Sequence, residues 1–364
     1  MNRTKLLLVG GFLGAGKTSL LWRAANLLRQ RGERVGLITN DQAAGLVDTA
    51  FLEGGENLVR EVSGSCFCCN FPGFAAAISS LAEQNGGGVI VAEPVGSCTD
   101  LSATLMQPLK EKYAAEIDLA PLTVLADPAR LRGILDGTAS AAAYIGEKQF
   151  EEADILLINK LDLLGAEEAA VLAERAAARW PRARVMTASA AAGEGVRAWL
   201  DEVLRRQPAG THLAEVDYDT YAEGEAAYGW LNASYVPEAA PALDAMPAKL
   251  LAALGAAFDA RNAAVGHVKF LLQSGCCRWV GNLTGRSETA SLRKSACPTR
   301  EPSLTVNARV ELSPDELREL VTSAVAAAME GVPYRESAMR CLIPGRPNPT
   351  YRCSTVAAGA EFAG

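Results

Sequence analysis

Over the first 205 residues, short unbroken apolar runs alternate with longer stretches whose apolar positions recur at helical spacing. The runs are KLLLVGG (5–11), RVGLITN (34–40), GVIVAEP (88–94), PLTVLADP (121–128), ADILLINK (153–160) and ARVMTAS (183–189). They are too short for core helices and too uniformly apolar for strands with one wet face, so each predicts a strand buried on both sides. Helix-length segments at 17–31, 72–84, 100–113, 129–137 and 166–179 lie between several of them. This alternation predicts an α/β domain over residues 1–205, built on a mostly parallel sheet covered by helices.

The rhythm breaks at the polar stretch RQPAGTHLAEVDYDTYAEGEAAY, read as a linker over 206–227. Strand-like segments follow at 228–236, 266–273, 276–284 and 303–312. Helices are expected at 247–262 and at 314–330, the second with Ser313 as its N-cap and Pro314 in first position. Together they predict a smaller α+β domain over 228–335 with a largely antiparallel sheet. Residues 336–364, which end in IPGRPNPTYRCSTVAAGAEFAG, are rich in proline and glycine and predict an irregular tail.

Composition changes little in this picture. An apolar content of 49% and a charged content of 21% are ordinary for a globular chain. A net charge of −7 argues against a nucleic-acid partner. No apolar run is long enough to cross a bilayer, so a membrane is not an expected partner either. The chain reads as cytoplasmic, without a targeting segment, and a homodimer is left open. The nine cysteines are more informative, because Cys66, Cys68 and Cys69 crowd into one stretch, EVSGSCFCCNFPGF (61–74). In a reducing compartment such a cluster points to metal or redox chemistry before disulfides.

Candidate chemistry begins with GGFLGAGKTS, which contains Gly11-x-x-x-x-Gly16-Lys17-Thr18 between an apolar strand and an amphipathic helix. Glycines there, Gly14 included, let backbone N–H groups of Ala15 to Ser19 turn toward phosphate oxygens. Lys17 neutralises β/γ charge, and Thr18 can ligate Mg²⁺. At the end of a later strand, INKLD supplies Asn159, Lys160 and Asp162. A carboxylate at Asp162 accepts two donors, which guanine offers and adenine does not, so GTP is favoured over ATP. The TASAAAGEG stretch, with Ser189, is placed to supply contacts to the base. Glu93 closes the strand VIVAE, where an acid can hold a magnesium-bound water, and Gly96 lets the backbone approach the γ-phosphate. Asp41 ends the preceding strand and is the other candidate for magnesium or switch work. The attacking water could be oriented by Gln42, Asp41 or Glu93.

Three soft thiolates on a short irregular loop suit a tetrahedral ion such as Zn²⁺ or Co²⁺. A fourth ligand is still needed, and water, Asp41 or an exchangeable partner are all open. Cys276 and Cys277 are adjacent on a strand and point to opposite faces, which suits packing better than a shared ion. Cys341 and Cys353 bracket an arginine-bearing tail whose role stays open.

In this order, GGFLGAGKT, SGSCFCCN, Glu-x-x-Gly after an apolar strand, and NKLD resemble the CobW-type GTPases, relatives of the nickel-insertion GTPases of urease and hydrogenase maturation. The resemblance is specific over roughly residues 5–200. It implies a P-loop NTPase domain followed by a CobW-like C-terminal domain. The activity implied is slow, Mg²⁺-dependent GTP hydrolysis coupled to delivery of a transition metal to a client metalloenzyme or its maturation complex. On this likeness Gly14, Gly16, Lys17 and Thr18 take the phosphates and Mg²⁺, and Glu93 the acidic role. Asn159, Lys160 and Asp162 take the guanine, and Cys66, Cys68 and Cys69 the metal. Many relatives read NEFGE where this chain reads NDQAAG (40–45), so the switch-linked ligand set differs. A cobalamin-related chaperone and a GTP-gated metal sensor or scaffold are the alternative readings.

Overall fold

The computed structural model describes residues 3–41, 58–138, 140–205, 207–238, 244–285 and 290–357. The described residues form two compact units. One comprises those up to Tyr221 together with those from Arg346 onward, and the other Ala222–Gly345.

The first unit is a sheet of eight strands: β1 (Thr4–Gly11), β2 (Val35–Asp41), β3 (Leu58–Ser63), β4 (Val89–Glu93), β5 (Ile117–Leu119), β6 (Thr123–Ala126), β7 (Ile155–Ile158) and β8 (Arg184–Thr187). Their order is β3-β2-β4-β1-β6-β7-β8, with β5 also paired to β1. Every pairing is parallel. Strands β4, β6 and β7 are buried along their whole length, as a sheet covered on both faces requires. The chain between strands supplies α1 (Lys17–Gln30), α2 (Phe71–Asn85), α3 (Gln107–Lys112), α4 (Pro128–Leu135), α5 (Ala141–Glu151), α6 (Ala166–Arg179), α7 (Val196–Leu204) and α8 (Tyr218–Ala226). Parallel strands all point one way, so residues at their carboxyl ends emerge along one edge of the sheet. Gly11, Asp41, Glu93 and Asn159 all lie there.

Two elements of this unit carry no clear hydrophobic period. β3 is an edge strand, LVREVS, with only Val62 buried, so its sequence reads as polar chain. The helix expected at 100–113 begins as a π turn over Ser102–Met106, entirely buried, before α3 takes over with Pro108 in its first turn. Part of the stretch expected as a linker packs on this unit: the Gly210 N–H donates to Asp154 Oδ2 at 2.6 Å, and the Thr211 N–H to Asp154 Oδ1 at 3.0 Å.

The second unit is an antiparallel sheet of β9 (Gly229–Pro237), β10 (Val265–Leu283), β11 (Ser291–Val310) and β12 (Tyr334–Leu342), ordered β10-β11-β9-β12. The strands expected at 266–273 and 276–284 are one strand, β10. Its register shifts around Gly275, whose φ of +57° an L side chain resists. β12 occupies part of the stretch expected as an irregular tail. It is an edge strand of mostly exposed residues, so pairing with β9 rather than burial makes it a strand. Helices α9 (Met246–Ala260) and α10 (Pro314–Ala328) complete the unit, sharing a core with the sheet around Leu254, Phe258, Phe270, Val306 and Val325. α10 carries a full capping box between Ser313 and Glu316.

Candidate nucleotide and metal site

The loop after β1 turns on Gly11, Gly14 and Gly16, with φ of +125°, +78° and +95°. Non-glycine residues resist these angles, and they bring successive backbone N–H groups onto the concave side. A side chain at Gly11 would also strike the Leu125 carbonyl of β6 at 2.5 Å. Lys17 is buried and donates from Nζ to the carbonyls of Gly11 at 2.8 Å and Phe12 at 3.3 Å, with Glu93 Oε1 at 3.9 Å. The Thr18 hydroxyl donates to Glu93 Oε1 at 3.2 Å. Ala15 is buried and donates its N–H to the Phe12 carbonyl at 3.2 Å, and Ser19 follows half-buried in the first turn of α1. Gly96 lies against this loop so closely that a Cβ would stand 3.0 Å from both the Leu13 nitrogen and Lys17 Nζ. The arrangement fits a polyphosphate with Mg²⁺: an ammonium, a ring of N–H donors, and a hydroxyl beside a carboxylate.

Asn159, Lys160 and Asp162 stand together past the end of β7. The Asn159 side chain is buried, donates to the Ala15 carbonyl and accepts from the Ala190 N–H, both at 2.8 Å. It therefore splices the phosphate loop to the turn after β8. Lys160 adopts φ +62° and pairs with Asp127 Oδ2 at 2.7 Å. Asp162 is exposed, and its carboxylate accepts from the Ser189 hydroxyl. Asp127 has no place among the residues singled out from the sequence. Burial is the largest influence on its carboxyl and works to raise its pKa, but the Lys160 ammonium and the Arg130 N–H together pull it below the ordinary value. The sequence cue was an aspartate just before a helix-opening proline, an N-cap pattern, and Asp127 does cap α4.

The thiol loop spans β3 to α2. Phe67 drives into the core and stacks on Phe74 with ring centroids 4.1 Å apart, while Asn70 caps α2. Cys66 and Cys68 are buried and Cys69 is partly exposed. Cys66 Sγ lies 3.0 Å from Cys68 Sγ, Cys68 Sγ lies 3.9 Å from Cys69 Sγ, and all three sulfurs lie within 4.8 Å of one another. The edge of a zinc–thiolate tetrahedron is about 3.8 Å, given Zn–S bonds of about 2.3 Å; the Cys68–Cys69 separation matches it, whereas the Cys66–Cys68 pair is closer and would have to open around an ion. The neighbouring thiols, Cys68 first and then Cys69, hold the Cys66 thiol far below the ordinary range. The same sharing pushes Cys68 well up, and Cys69 up to about 11, first through its bond to Cys66. Asp41 ends β2 beside Ser63 of β3, but its side chain and all of Gln42 lie outside the described residues.

Three further features of this loop carry no spacing or composition cue. Asn40 clamps it: Nδ2 donates to the carbonyls of Val62 at 2.7 Å and Ser65 at 2.8 Å, and Oδ1 accepts from the Phe67 N–H at 2.8 Å. Cys98, on the turn after β4, is a further buried thiol near enough to help lower Cys66 and raise Cys68. The C-terminal segment straps the loop from outside. Asn348 donates its N–H to Cys69 Sγ at 3.3 Å, and Thr350 donates its N–H to the Cys68 carbonyl at 2.8 Å and its hydroxyl to the Cys69 carbonyl at 3.1 Å. Tyr351 sets its ring edge-on to Phe71 at 5.2 Å, and Arg352 Nε pairs with the fully buried Asp100 at 2.6 Å.

The remaining thiols do not join this site. Cys276 is exposed and Cys277 half-buried, and the pair lies on β10. The Cys341 thiol donates to the Pro314 carbonyl at 3.2 Å within the second unit, whereas the Cys353 N–H donates to the Ala103 carbonyl at 3.0 Å within the first.

The sequence model described as "CobW/HypB/UreG, nucleotide-binding domain" matches residues 5–187, half of the chain. The chain belongs to the CobW/HypB/UreG family. It is 29% identical over 180 residues to the zinc-regulated GTPase metalloprotein activator 1 of Schizosaccharomyces pombe, covering 47% of this chain and 42% of that protein. It is 30% identical over 184 residues to the zinc chaperone YeiR of Escherichia coli, covering 50% of this chain and 51% of that one. The chain thus spans about half the length of the curated relatives it matches. Among solved structures, HypB from Helicobacter pylori in complex with nickel is 16% identical with a TM-score of 0.41, over 54% of this chain and 84% of that chain. Zn(II)-bound YjiA GTPase from Escherichia coli is 17% identical with a TM-score of 0.39, over 89% and 99%. Both likenesses are too distant to bear on the site. Among the described residues no helix is long and apolar enough to cross a membrane.

Proposed function

We propose that this protein is a GTP-hydrolysing metallochaperone that captures a zinc-class ion at Cys66, Cys68 and Cys69 and passes it to a client metalloprotein. The observation that carries the reading is the Asn40 clamp. One side chain at the end of β2 makes three hydrogen bonds to the backbone of the thiol loop, so the strand that runs into the nucleotide edge also holds the metal ligands. The relatives' zinc names point the same way, and Co²⁺ shares the ligand chemistry.

In this reading the N–H groups of Gly14 to Ser19 and the Lys17 ammonium hold the phosphates, replacing the loop carbonyls that Lys17 now contacts. Thr18 and Glu93 would hold Mg²⁺, which would neutralise charge on the phosphates. Asn159 keeps the base loop on the phosphate loop, Asp162 accepts the two guanine donors, and Ser189 orients Asp162. Asp127 holds the Lys160 stem where it can lie across the base. Gly96, with no side chain to interfere, moves its backbone N–H toward or away from the γ-phosphate position. At the thiol loop, Cys66 meets the incoming ion as thiolate, while Cys68 and Cys69 surrender protons as they bind. Capture therefore strengthens as pH rises.

The deciding experiment titrates Zn²⁺ and Co²⁺ into the protein loaded with GDP or with a non-hydrolysable GTP analogue. The reading expects affinity to differ between the two states and to collapse when Cys66, Cys68 and Cys69 are all changed to Ser. Equal affinity in both nucleotide states, or retention of binding in the triple variant, would overturn it. Replacing Asp162 with Ala separately tests the base assignment, since it should weaken GTP binding without improving that of ATP.

A further inference from the structure

Of the thiol trio, Cys66 and Cys68 are buried and only Cys69 is partly exposed, so an ion or a client ligand has to approach from the Cys69 side. The C-terminal segment lies across that side. Its bonds from Asn348 and Thr350 end on Cys69 Sγ and on the Cys68 and Cys69 carbonyls. Further along, the Cys353 N–H donates to the Ala103 carbonyl at 3.0 Å and the Ala357 N–H to Gln107 Oε1 at 2.9 Å. The segment forms no helix or strand, so each bond lacks the support of a regular ladder. Arg352 is the only charged residue between Asn348 and Ala357, and its partner is the buried Asp100. That fastening is incomplete. Arg352 Nε at 2.6 Å and the Tyr218 hydroxyl at 2.9 Å both donate to Asp100 Oδ2, while Oδ1 is buried with no hydrogen-bond partner among the described residues. A buried pair left half satisfied is a contact that can be given up.

Asp100 also ends the turn that follows β4. Four residues earlier, Gly96 rests against the phosphate loop, where a Cβ would stand 3.0 Å from the Leu13 nitrogen and from Lys17 Nζ. The backbone between them is stapled. The Cys98 N–H donates to the Val95 carbonyl at 2.9 Å, and the buried Gln149 of α5 donates from Nε2 to the carbonyls of Gly96 at 3.1 Å and Cys98 at 2.7 Å. The Asp100 carbonyl accepts from the Thr104 N–H at 2.9 Å and from its hydroxyl at 2.7 Å. A turn fastened at so many points shifts as one piece. We infer that residues 348–357 are a displaceable cover over the metal ligands, latched by Arg352 on Asp100, and that the nucleotide works this latch through the Gly96–Asp100 turn. The inference rests on the metal-capture reading above. A movement of Gly96 with the γ-phosphate carries the Asp100 carboxylate with it, and a shift of about 1 Å takes the pair beyond hydrogen-bond distance. With the cover down, the approach to Cys69 is occupied and the ion exchanges slowly. With the cover lifted, that approach is open to a client ligand.

The test uses the full chain with GDP or a non-hydrolysable GTP analogue bound. Hydrogen exchange at the Asn348, Thr350 and Cys353 amides reads the cover, and the α2 amides serve as the check on folding. The rate at which a chelating dye withdraws one equivalent of bound Zn²⁺ reads access to the ligands. Both rates should differ between the nucleotide states by about tenfold or more. Arg352→Met should raise both rates in each state and abolish the difference. Arg352→Lys, which keeps a cation for the carboxylate, should restore part of it. Equal exchange in the two nucleotide states, or a nucleotide dependence that survives Arg352→Met, would refute the latch while leaving zinc capture intact. A chain that keeps the exchange difference but binds no zinc would overturn metal capture and leave the latch standing.

Discussion

Removing the Arg352 guanidinium, as in Arg352→Met, should unlatch the C-terminal strap from the thiol loop. Arg352 Nε donates to Asp100 Oδ2 at 2.6 Å; the Asp100 side chain has no exposure at all, whereas that of Arg352 is 43% exposed. Breaking a fully buried pair costs about 3–5 kcal/mol, because one charge is left behind. Solvent around the arginine reduces that figure, and the Tyr218 hydroxyl, donating to the same oxygen at 2.9 Å, remains as a partner. Burial, the largest influence on Asp100, already holds its carboxyl above the ordinary range, so protonation offers further relief. About 2 kcal/mol is a reasonable net loss. The strap's three hydrogen bonds to the thiol loop contribute about 1 kcal/mol each, against roughly 1–2 kcal/mol of backbone entropy for each residue they order. Such a segment is marginal without its ion pair, and 2 kcal/mol multiplies its opening equilibrium by about thirtyfold.

The assay is the alkylation rate of Cys69, followed by peptide mass mapping, together with hydrogen exchange at the Thr350 and Cys353 amides. Both should rise by about that factor in Arg352→Met, and the alkylation rate should reach its limit in a chain truncated after Gly345. Arg346→Met is the control: its partner Asp219 is 83% exposed on the side chain, and a surface pair of this kind contributes little. If Cys69 reacts no faster in Arg352→Met or in the truncated chain, the strap does not gate the site and the reasoning fails.

Three other outcomes are expected. Gly96→Ala should lower GTP turnover at least tenfold and also lower the melting temperature, because the added Cβ would press on Leu13 and Lys17 of the phosphate loop. Asn40→Ala removes three hydrogen bonds to the thiol loop and should cost about 2–4 kcal/mol in urea unfolding, with a parallel fall in zinc affinity. Glu152 is fully buried, accepts from the Ser102 N–H at 2.7 Å, and is pushed up to about 8, mainly by burial. The folded state thus keeps a proton that the unfolded chain loses near pH 4.5, so stability should fall as pH rises from about 4.5 to 8. The unfolding midpoint of Glu152→Gln should lack that component, and an identical pH slope in both proteins would discount the burial argument.

Much of the first unit was legible in the chain because its signals are local. A parallel strand covered on both faces must be an unbroken apolar run, and a phosphate loop must carry glycine where φ is positive, so β1, β4, β6, β7 and the Gly11–Thr18 segment announce themselves. The cysteine trio is likewise local, since one short loop supplies all three sulfurs. Edge strands β3 and β12 were not legible, because their stability comes from a neighbour's hydrogen bonds rather than from their own side-chain pattern. The same holds for every partner the site draws from a distance. Asn40 becomes a clamp only when β3 lies beside β2. Asp127 meets Lys160 only when β6 and β7 pair. The strap from Asn348 to Arg352, in a tail that reads as irregular, is ordered by contacts with residues some 250–280 positions earlier. Sequence spacing encodes what a single loop or strand can converge. What several strands bring to one edge is decided by their order in the sheet, and that order is set by burial of the whole core.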